Sequence, residues 1–529
     1  MAVQDRSDLE SPNPPGMSHR QILVVFSGLM LGMFLASLDQ TIVATALPTM
    51  VGELGGLEHL SWVVTAYLVT STVAAPLYGK VSDLYGRKIV FQAAIAIFLI
   101  GSVLSGLSQS MGQLIGARAV QGLGAGGLMV MAMTIVGDIL SPRERGRYQG
   151  YIGSVFAVSS IAGPLLGGFL VDNLSWRWVF YINLPIGLAA LVVTSAVLNL
   201  PFRRVEHPVD YVGAGLLVGG VSSLLLVTVW GGSEYPWVSS VILGLAATAF
   251  VLIVAFLWWE RRAPEPILPL RLFRNRTFTI TSGAGFIVGL GMFGGIIFLP
   301  LFLQVVTGAS ATNSGLLLLP LMAGVLTSSI TSGRLITRTG RYKAFPLVGT
   351  AVMTVAMFLL STMGPSTSYL LSSAYMLALG LGMGLVMQVL VVAVQNAVSA
   401  EDLGVATSSA SFFRSLGGSF GTALFGSILT SRLAYHLGDL VSGEGSALGD
   451  LTGSPELIAQ LPPQIRTTVV EAFSDSITTV FATAIPFVLI AFVLVLLLPE
   501  LPLRATAHIG NGSTPSRPDS PEEQRQGRP

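Results

Sequence analysis

The amino-acid sequence predicts an all-α polytopic membrane protein: two six-helix bundles with two extra helices inserted between them. Three observations carry that expectation. First, 52% of the 529 residues are hydrophobic, only 10% are charged, and the mean hydropathy is +0.73. Soluble domains carry roughly 25% charged residues, so this chain has too little polar surface to face water all round. Second, fourteen apolar runs approach the ~20 residues that cross hydrocarbon as a helix. Third, one charged loop occurs twice. It reads Gly79-Lys80-Val81-Ser82-Asp83-Leu84-Tyr85-Gly86-Arg87-Lys88 and, as a worn copy, Gly333-Arg334-Leu335-Ile336-Thr337-Arg338-Thr339-Gly340-Arg341-Tyr342.

Residues 1–20 are polar and proline-containing, and are expected to be a disordered tail. The first run, 22–47, is too long for a signal peptide, and no small-residue cleavage site closes it. The next five lie near 60–79, 89–109, 111–138, 149–171 and 178–199, completing an N-terminal bundle over 21–200. The charged loop follows the second run and its copy the tenth, where a simple doubling would place it after the eighth. The runs 210–230 and 238–259 are therefore the insertion, within 201–265. A C-terminal bundle, 266–500, holds runs near 278–302, 313–336, 344–363, 369–393, 404–430 and 476–498. Residues 431–475 are the one long outer loop, flexible at Gly438, Gly443, Gly445 and Gly449. Beyond Pro462-Pro463, Ile465, Val469, Val470 and Phe473 are spaced as one helical face. A second disordered tail is expected over 501–529.

Arginine and lysine accumulate on the cytoplasmic side of membrane proteins. With the N-terminus inside, outer loops hold only Arg177, Arg432 and Arg466, and Arg118 and Arg414 fall within runs. That leaves 23 of 28 cationic residues (28 − 3 − 2) on the cytoplasmic side, so both termini are expected there. All seven tryptophans, at 62, 176, 178, 230, 237, 258 and 259, sit at run ends as an aromatic belt does. Arg143, Arg145 and Arg147 are read as positive-inside residues and nothing more.

Several functions are excluded or disfavoured. The chain has no cysteine, which removes disulfides and thiol chemistry. Its five histidines lie outside the runs, and no metal cluster, nucleophile–base pair or nucleotide-binding loop is apparent, so an ATP-driven pump or a membrane enzyme is disfavoured. No cofactor is expected, and a net charge of +1 gives no reason to expect nucleic acid. Two similar halves are how many secondary transporters are built.

Within the runs, Asp39 stands out, because a carboxylate inside a span costs roughly 2.5–3.5 kcal/mol on insertion scales and marks a functional candidate. It lies about 14 Å from the outer end at Pro48, while Arg118 lies ~10 Å from the outer end of its own run. Tyr67 falls at a similar level of the second run. A carboxylate, a guanidinium and a phenol at one depth are expected to share a cavity, with Gln121 and Arg414 also on its wall. Burial disfavours a charged carboxylate and a nearby guanidinium favours it, so such a pair can change protonation as access changes.

The first charged loop resembles the signature of the major facilitator superfamily, G-x-[LIV]-x-D-x-[FYL]-G-R-[RK]. Fourteen runs are the mark of its drug:proton antiporter-2 family. Leu38-Asp39-Gln40-Thr41-Ile42-Val43-Ala44-Thr45-Ala46-Leu47-Pro48 is similar to that family's first-helix motif, with Ala44 where asparagine is usual. Leu114 to Gly124 resembles the fourth-helix motif, whose arginine is tied to proton transfer; here it is Arg118. Gly150, Gly163, Pro164, Gly167 and Gly168 match an antiporter motif associated with export, with Ser159 in place of its second glycine. Gly79, Asp83, Gly86, Arg87 and Asp138 match a latch of the outward-facing state, which the copy lacks at Thr337. Arg414, about 15 Å into its run, resembles a further helix motif.

The resemblance covers roughly residues 20–500. It implies a monomeric proton-coupled antiporter in a bacterial cytoplasmic membrane, moving lipophilic small molecules by alternating access. Monovalent cationic or neutral drugs would be its cargo and antibiotic resistance its consequence. Export of a lipid or secondary metabolite by the same machinery is the alternative.

Overall fold

Fourteen stretches of backbone that must satisfy their own polar groups in hydrocarbon have one solution, the α-helix. A computed structural model of the chain describes residues 19–54, 60–198, 210–232, 234–309, 314, 316–399, 401–437, 458 and 461–503. The expected tails lie outside these residues, except at 19–20 and 501–503, as does the glycine-containing stretch 438–457.

The N-terminal helices are α1 (His19–Leu54), α2 (Leu60–Tyr85), α3 (Arg87–Leu107), α4 (Met111–Ile139) and α5 (Pro142–Asn173). The sixth, α6 (Trp178–Val197), is interrupted at Ile182. The inserted pair is α7 (Tyr211–Trp230) and α8 (Ser240–Glu260). Then come α9 (Arg276–Val305), α10 (Leu319–Thr339), α11 (Ala344–Ser361), α12 (Tyr369–Ala397), α13 (Leu403–Leu437) and α14 (Pro463–Leu496). The described residues contain no strand, only an isolated bridge between Gly231 and Tyr235.

Two helices run past their expected ends. α13 continues to Leu437 and α14 begins at Pro463, so both penetrate the segment expected to be loop. The apolar face read at its end is continuous with the last span: Val469 and Phe473 are buried there, whereas Ile465 is exposed.

The two halves meet along α2 against α13 and α5 against α10. Among the described residues, ten of the helices have windows apolar enough to cross a membrane on composition alone, and the seam helices α2, α10 and α13 are among the four that do not. Their polar side chains face protein instead of lipid, which relaxes the demand for hydropathy. The inserted pair covers this seam from one side. Leu217, Val221 and Leu225 of α7 pack with Val69 and Val73 of α2 and Phe412 of α13. On the side expected to be cytoplasmic, the linker from α8 to α9 is pinned to both halves. Lys80 pairs with Glu265 at 2.6 Å, and Arg271 pairs with Asp402 at 2.8 Å.

Both copies of the charged loop turn on glycine. Gly86 has φ +94° and Gly340 φ +70°, a region closed to most L-residues. This accounts for the seven-residue glycine spacing in both halves: the second glycine is where the helix must stop.

Candidate functional site

Asp39 is fully buried, and three amide or guanidinium groups converge on it. Arg118 Nη1 donates to Asp39 Oδ2 at 2.6 Å, while Gln121 Nε2 and Asn183 Nδ2 donate to Oδ1 at 2.7 and 3.1 Å. Arg118 and Gln121 are also joined, at 2.7 Å. They share a face of α4 because residues three apart on a helix are neighbours. Ser102 of α3 closes the network, accepting from Gln121 and Asn183 and donating to Phe180 O at 2.8 Å. The Arg118 guanidinium lies 4.2 Å from the centre of the Tyr67 ring, a cation–π contact. Four buried polar side chains thus form one hydrogen-bonded network around a charge that lipid alone would reject, with only Asn183 Oδ1 among their oxygens left without a donor.

Close packing sets the position of α1. Gly163 and Gly167 of α5 face Thr41 and Thr45, two and six residues beyond Asp39, with no room for a Cβ. Thr41 Oγ1 donates to Ser159 O at 3.0 Å, so the serine that stands for a glycine is part of the same contact. Gly168 faces open space and Pro164 lies within α5, as does Gly150.

The structure brings Asp39, Arg118, Gln121 and Tyr67 together, but not around an open cavity. Tyr67 and Gln121, expected on a substrate-facing wall, are buried against the ion pair: Gln121 donates to Asp39, while the Tyr67 ring lies against the Arg118 guanidinium and its hydroxyl donates to Ala36 O at 3.3 Å. Arg414 is elsewhere, in a crevice between α9, α12 and α13. Ser102 and Asn183 were missed by sequence reasoning. Asn183 carried a usable signal, an amide inside an apolar run.

A second cluster lies at the helix ends expected to face the cytoplasm. Arg87 pairs with Asp83, and its Nε donates to Asp138 Oδ2 at 2.7 Å. Asp83 abuts the first turn of α13 at Gly404, where a Cβ would collide with its carboxylate. Burial pushes the Asp83 carboxyl up to about 6, against the opposing pull of Arg87. Gly79 packs on Ser408 and Gly404, again with no space for a side chain. Thr337, in the copy, donates to Gly333 O within its own helix. Arg145 corrects an expectation: it is buried, and its Nη1 donates to Gln395 Oε1 of α12 at 2.8 Å. Near the other membrane face, Arg177 pairs with Glu53 and stacks on Trp176, whose Nε1 donates to Glu53 Oε2 at 2.6 Å, and the bonds from Arg177 and Trp176 hold the Glu53 carboxyl below its ordinary range.

A profile of the Major Facilitator Superfamily matches residues 29–210 and again 211–422. The chain belongs to that superfamily. It is therefore a multi-pass membrane transporter of small molecules, not an enzyme. An uncharacterized MFS-type transporter of Mycobacterium tuberculosis is 44% identical over 94% of this chain and 73% of its own length. The multidrug transporter protein MdtP of Bacillus subtilis is 40% identical, over 92% and 94%. The human organic anion transporter MFSD10 has a similar fold, with TM-score 0.60 and 16% identity over 89% of this chain and 99% of that one. The major facilitator proton:xylose symporter XylE follows at TM-score 0.58 and 14% identity, over 92% and 97%. Among the described residues, no group of acidic or histidine side chains is placed to hold a metal ion.

Proposed function

We propose that this major facilitator protein is a monomeric proton-driven antiporter that exports amphipathic small molecules across a bacterial cytoplasmic membrane, both termini inside. The observation that carries the reading is Asp39, the one carboxylate deep within the described spans, held by Arg118, Gln121 and Asn183. A proton arriving from outside neutralises Asp39 and weakens its hold on Arg118. The buried Asn183 Oδ1 has no donor of its own and is available to accept the new Asp39 O–H. Release of the proton to the cytoplasm restores the ion pair. With one carrier, one proton enters for each substrate that leaves.

The Arg87 cluster and the Arg145–Gln395 bond supply the contacts that hold the cytoplasmic ends together during release. Export is supported by the glycine motif of α5 and by the names of relatives, including multidrug resistance protein 3 of Bacillus subtilis, 36% identical over 92% of this chain. The test is Asp39→Asn in inverted vesicles, measuring substrate uptake driven by a pH gradient. Uptake should vanish while the protein still reaches the membrane. Wild-type rates would remove Asp39 from the mechanism.

A further inference from the structure

We propose that Arg414 is an anion site, and that the compounds this protein binds best carry a carboxylate or similar anionic group on an apolar body. The inference rests on the export reading and names its substrate class. Three charged side chains lie deep in the described helices: Asp39, Arg118 and Arg414. The first two neutralise each other at 2.6 Å, so the sum is −1 + 1 + 1 = +1. Arg414 has neither a hydrogen bond nor an ion pair among the described residues, and no acidic group acts on it. Its side chain is half-buried and lines a crevice shared with Thr281, Met387, Leu390 and Val391.

The one hydroxyl among those neighbours, on Thr281, already donates to Thr277 O at 2.6 Å. A guanidinium so placed has given up much of its water and gained no partner, which a bound anion repairs with charge-assisted bonds. Its planar fork fits a carboxylate on two bonds at once. The location suits a substrate. Val391, on the crevice wall, also packs in the core of the N-terminal half, so the crevice adjoins the seam between halves. Arg414 is about 15 Å along α13 from Gly404, in the path of a molecule entering from the cytoplasm. A cationic drug would instead meet an uncompensated positive charge. The charge arithmetic therefore replaces the cationic cargo that the family resemblance suggested.

The test is equilibrium binding to the purified full-length protein in phosphatidylcholine nanodiscs, read by fluorescence anisotropy. The probes are one xanthene dye as its free carboxylate and as its methyl ester. The wild type should hold the acid at least about tenfold tighter than the ester, the worth of one charge-assisted bond. Arg414→Gln should collapse that ratio toward one, and Arg414→Lys should restore part of it. An unchanged ratio in Arg414→Gln overturns the proposal. If that variant does not fold, the wild-type ratio decides, and a preference for the ester overturns it equally. Loss of the acid preference when phosphatidylglycerol is added would assign the site to a lipid phosphate and overturn the substrate claim. No gradient is applied, so the ratio is read independently of proton coupling. A protein that passes here but fails the Asp39 vesicle test refutes antiport alone.

Discussion

Arg145 and Gln395, 250 positions apart in the chain, are joined by a 2.8 Å hydrogen bond between the two halves. Gln395 also donates to Met133 O and Thr407 Oγ1, so one amide ties α12 to α4, α5 and α13. Gln395→Ala leaves Arg145 short of an acceptor in a dry contact, costing this closed end of the seam about 1–3 kcal/mol. The chain has no native cysteine, so a single cysteine at Ser408 reports opening cleanly. Its maleimide labelling should rise several-fold with Gln395→Ala. Unaltered labelling would mean that this bond does not hold the face shut.

The α5 glycines should separate by what they face. Gly163→Ala and Gly167→Ala force a methyl into Thr41 and Thr45, whereas Gly168→Ala meets nothing within 4 Å. The first two should lower the melting temperature of purified protein, at a cost of about 1–3 kcal/mol each from overpacking. Gly168→Ala should stay within ~0.5 kcal/mol of wild type. Equal losses at all three would show that the α1–α5 contact is not the cause.

Asn183→Leu removes one donor from Asp39 and another from Ser102. An incompletely paired buried carboxylate costs about 1–3 kcal/mol. Export driven by a pH gradient should fall about tenfold or more, at normal levels of protein in the membrane. Full activity would reduce Asn183 to packing.

Asp83 gives a pH dependence whose sign follows from its environment. Burial raises its carboxyl from 3.8 to about 6 in this structure, with Arg87 and Lys80 opposing and Asp138 reinforcing the shift. If Asp83 regains its ordinary value when the cytoplasmic ends part, the closed face binds the proton more tightly. The penalty of an ionised Asp83 is present above pH 6 and is lost as pH falls from 6 toward 3.8. Labelling of the Ser408 cysteine should therefore slow on acidification across that window. Asp83→Asn should flatten the response and slow turnover, with substrate affinity near wild type. A large loss of affinity with normal turnover would contradict the latch assignment.

Membrane potential should rank substrates by charge. One proton in against a monovalent cation out moves no net charge. A neutral substrate moves one charge and a monovalent anion two. Each is worth about 2.3 kcal/mol per 100 mV, beside about 1.4 kcal/mol per unit of pH gradient. Proteoliposomes with potential and pH gradient clamped separately give the ranking. Strong acceleration of monovalent-cation export by potential alone would sink the one-proton scheme.

Much of this architecture was legible because membrane helices are written in long apolar runs and because Gly86 and Gly340 mark matched breaks in the two halves. The depths of Asp39 and Arg118 were legible too, since a fixed rise per residue converts position into height. Lateral direction was not. Whether Tyr67 faces a cavity or the ion pair depends on the rotation of α2, which close packing on Gly122 and Gly126 of α4 helps decide. Ser102 is one of three serines in its run, and only its bonds to Gln121 and Asn183 around Asp39 single it out. Arg145 looked like topology because charge near a helix end is common there. Its burial depends on Gln395, far away in sequence.

The linker between α8 and α9 acts as a tether with two knots, one at Lys80 on the α2 side and one at Asp402 on the α13 side. A stroke that spreads α2 from α13 pulls on both pairs at once. If the linker holds and the inserted helices follow it, lipid is displaced at every turn of the cycle, and the stiffness of the surrounding bilayer then bears on its speed.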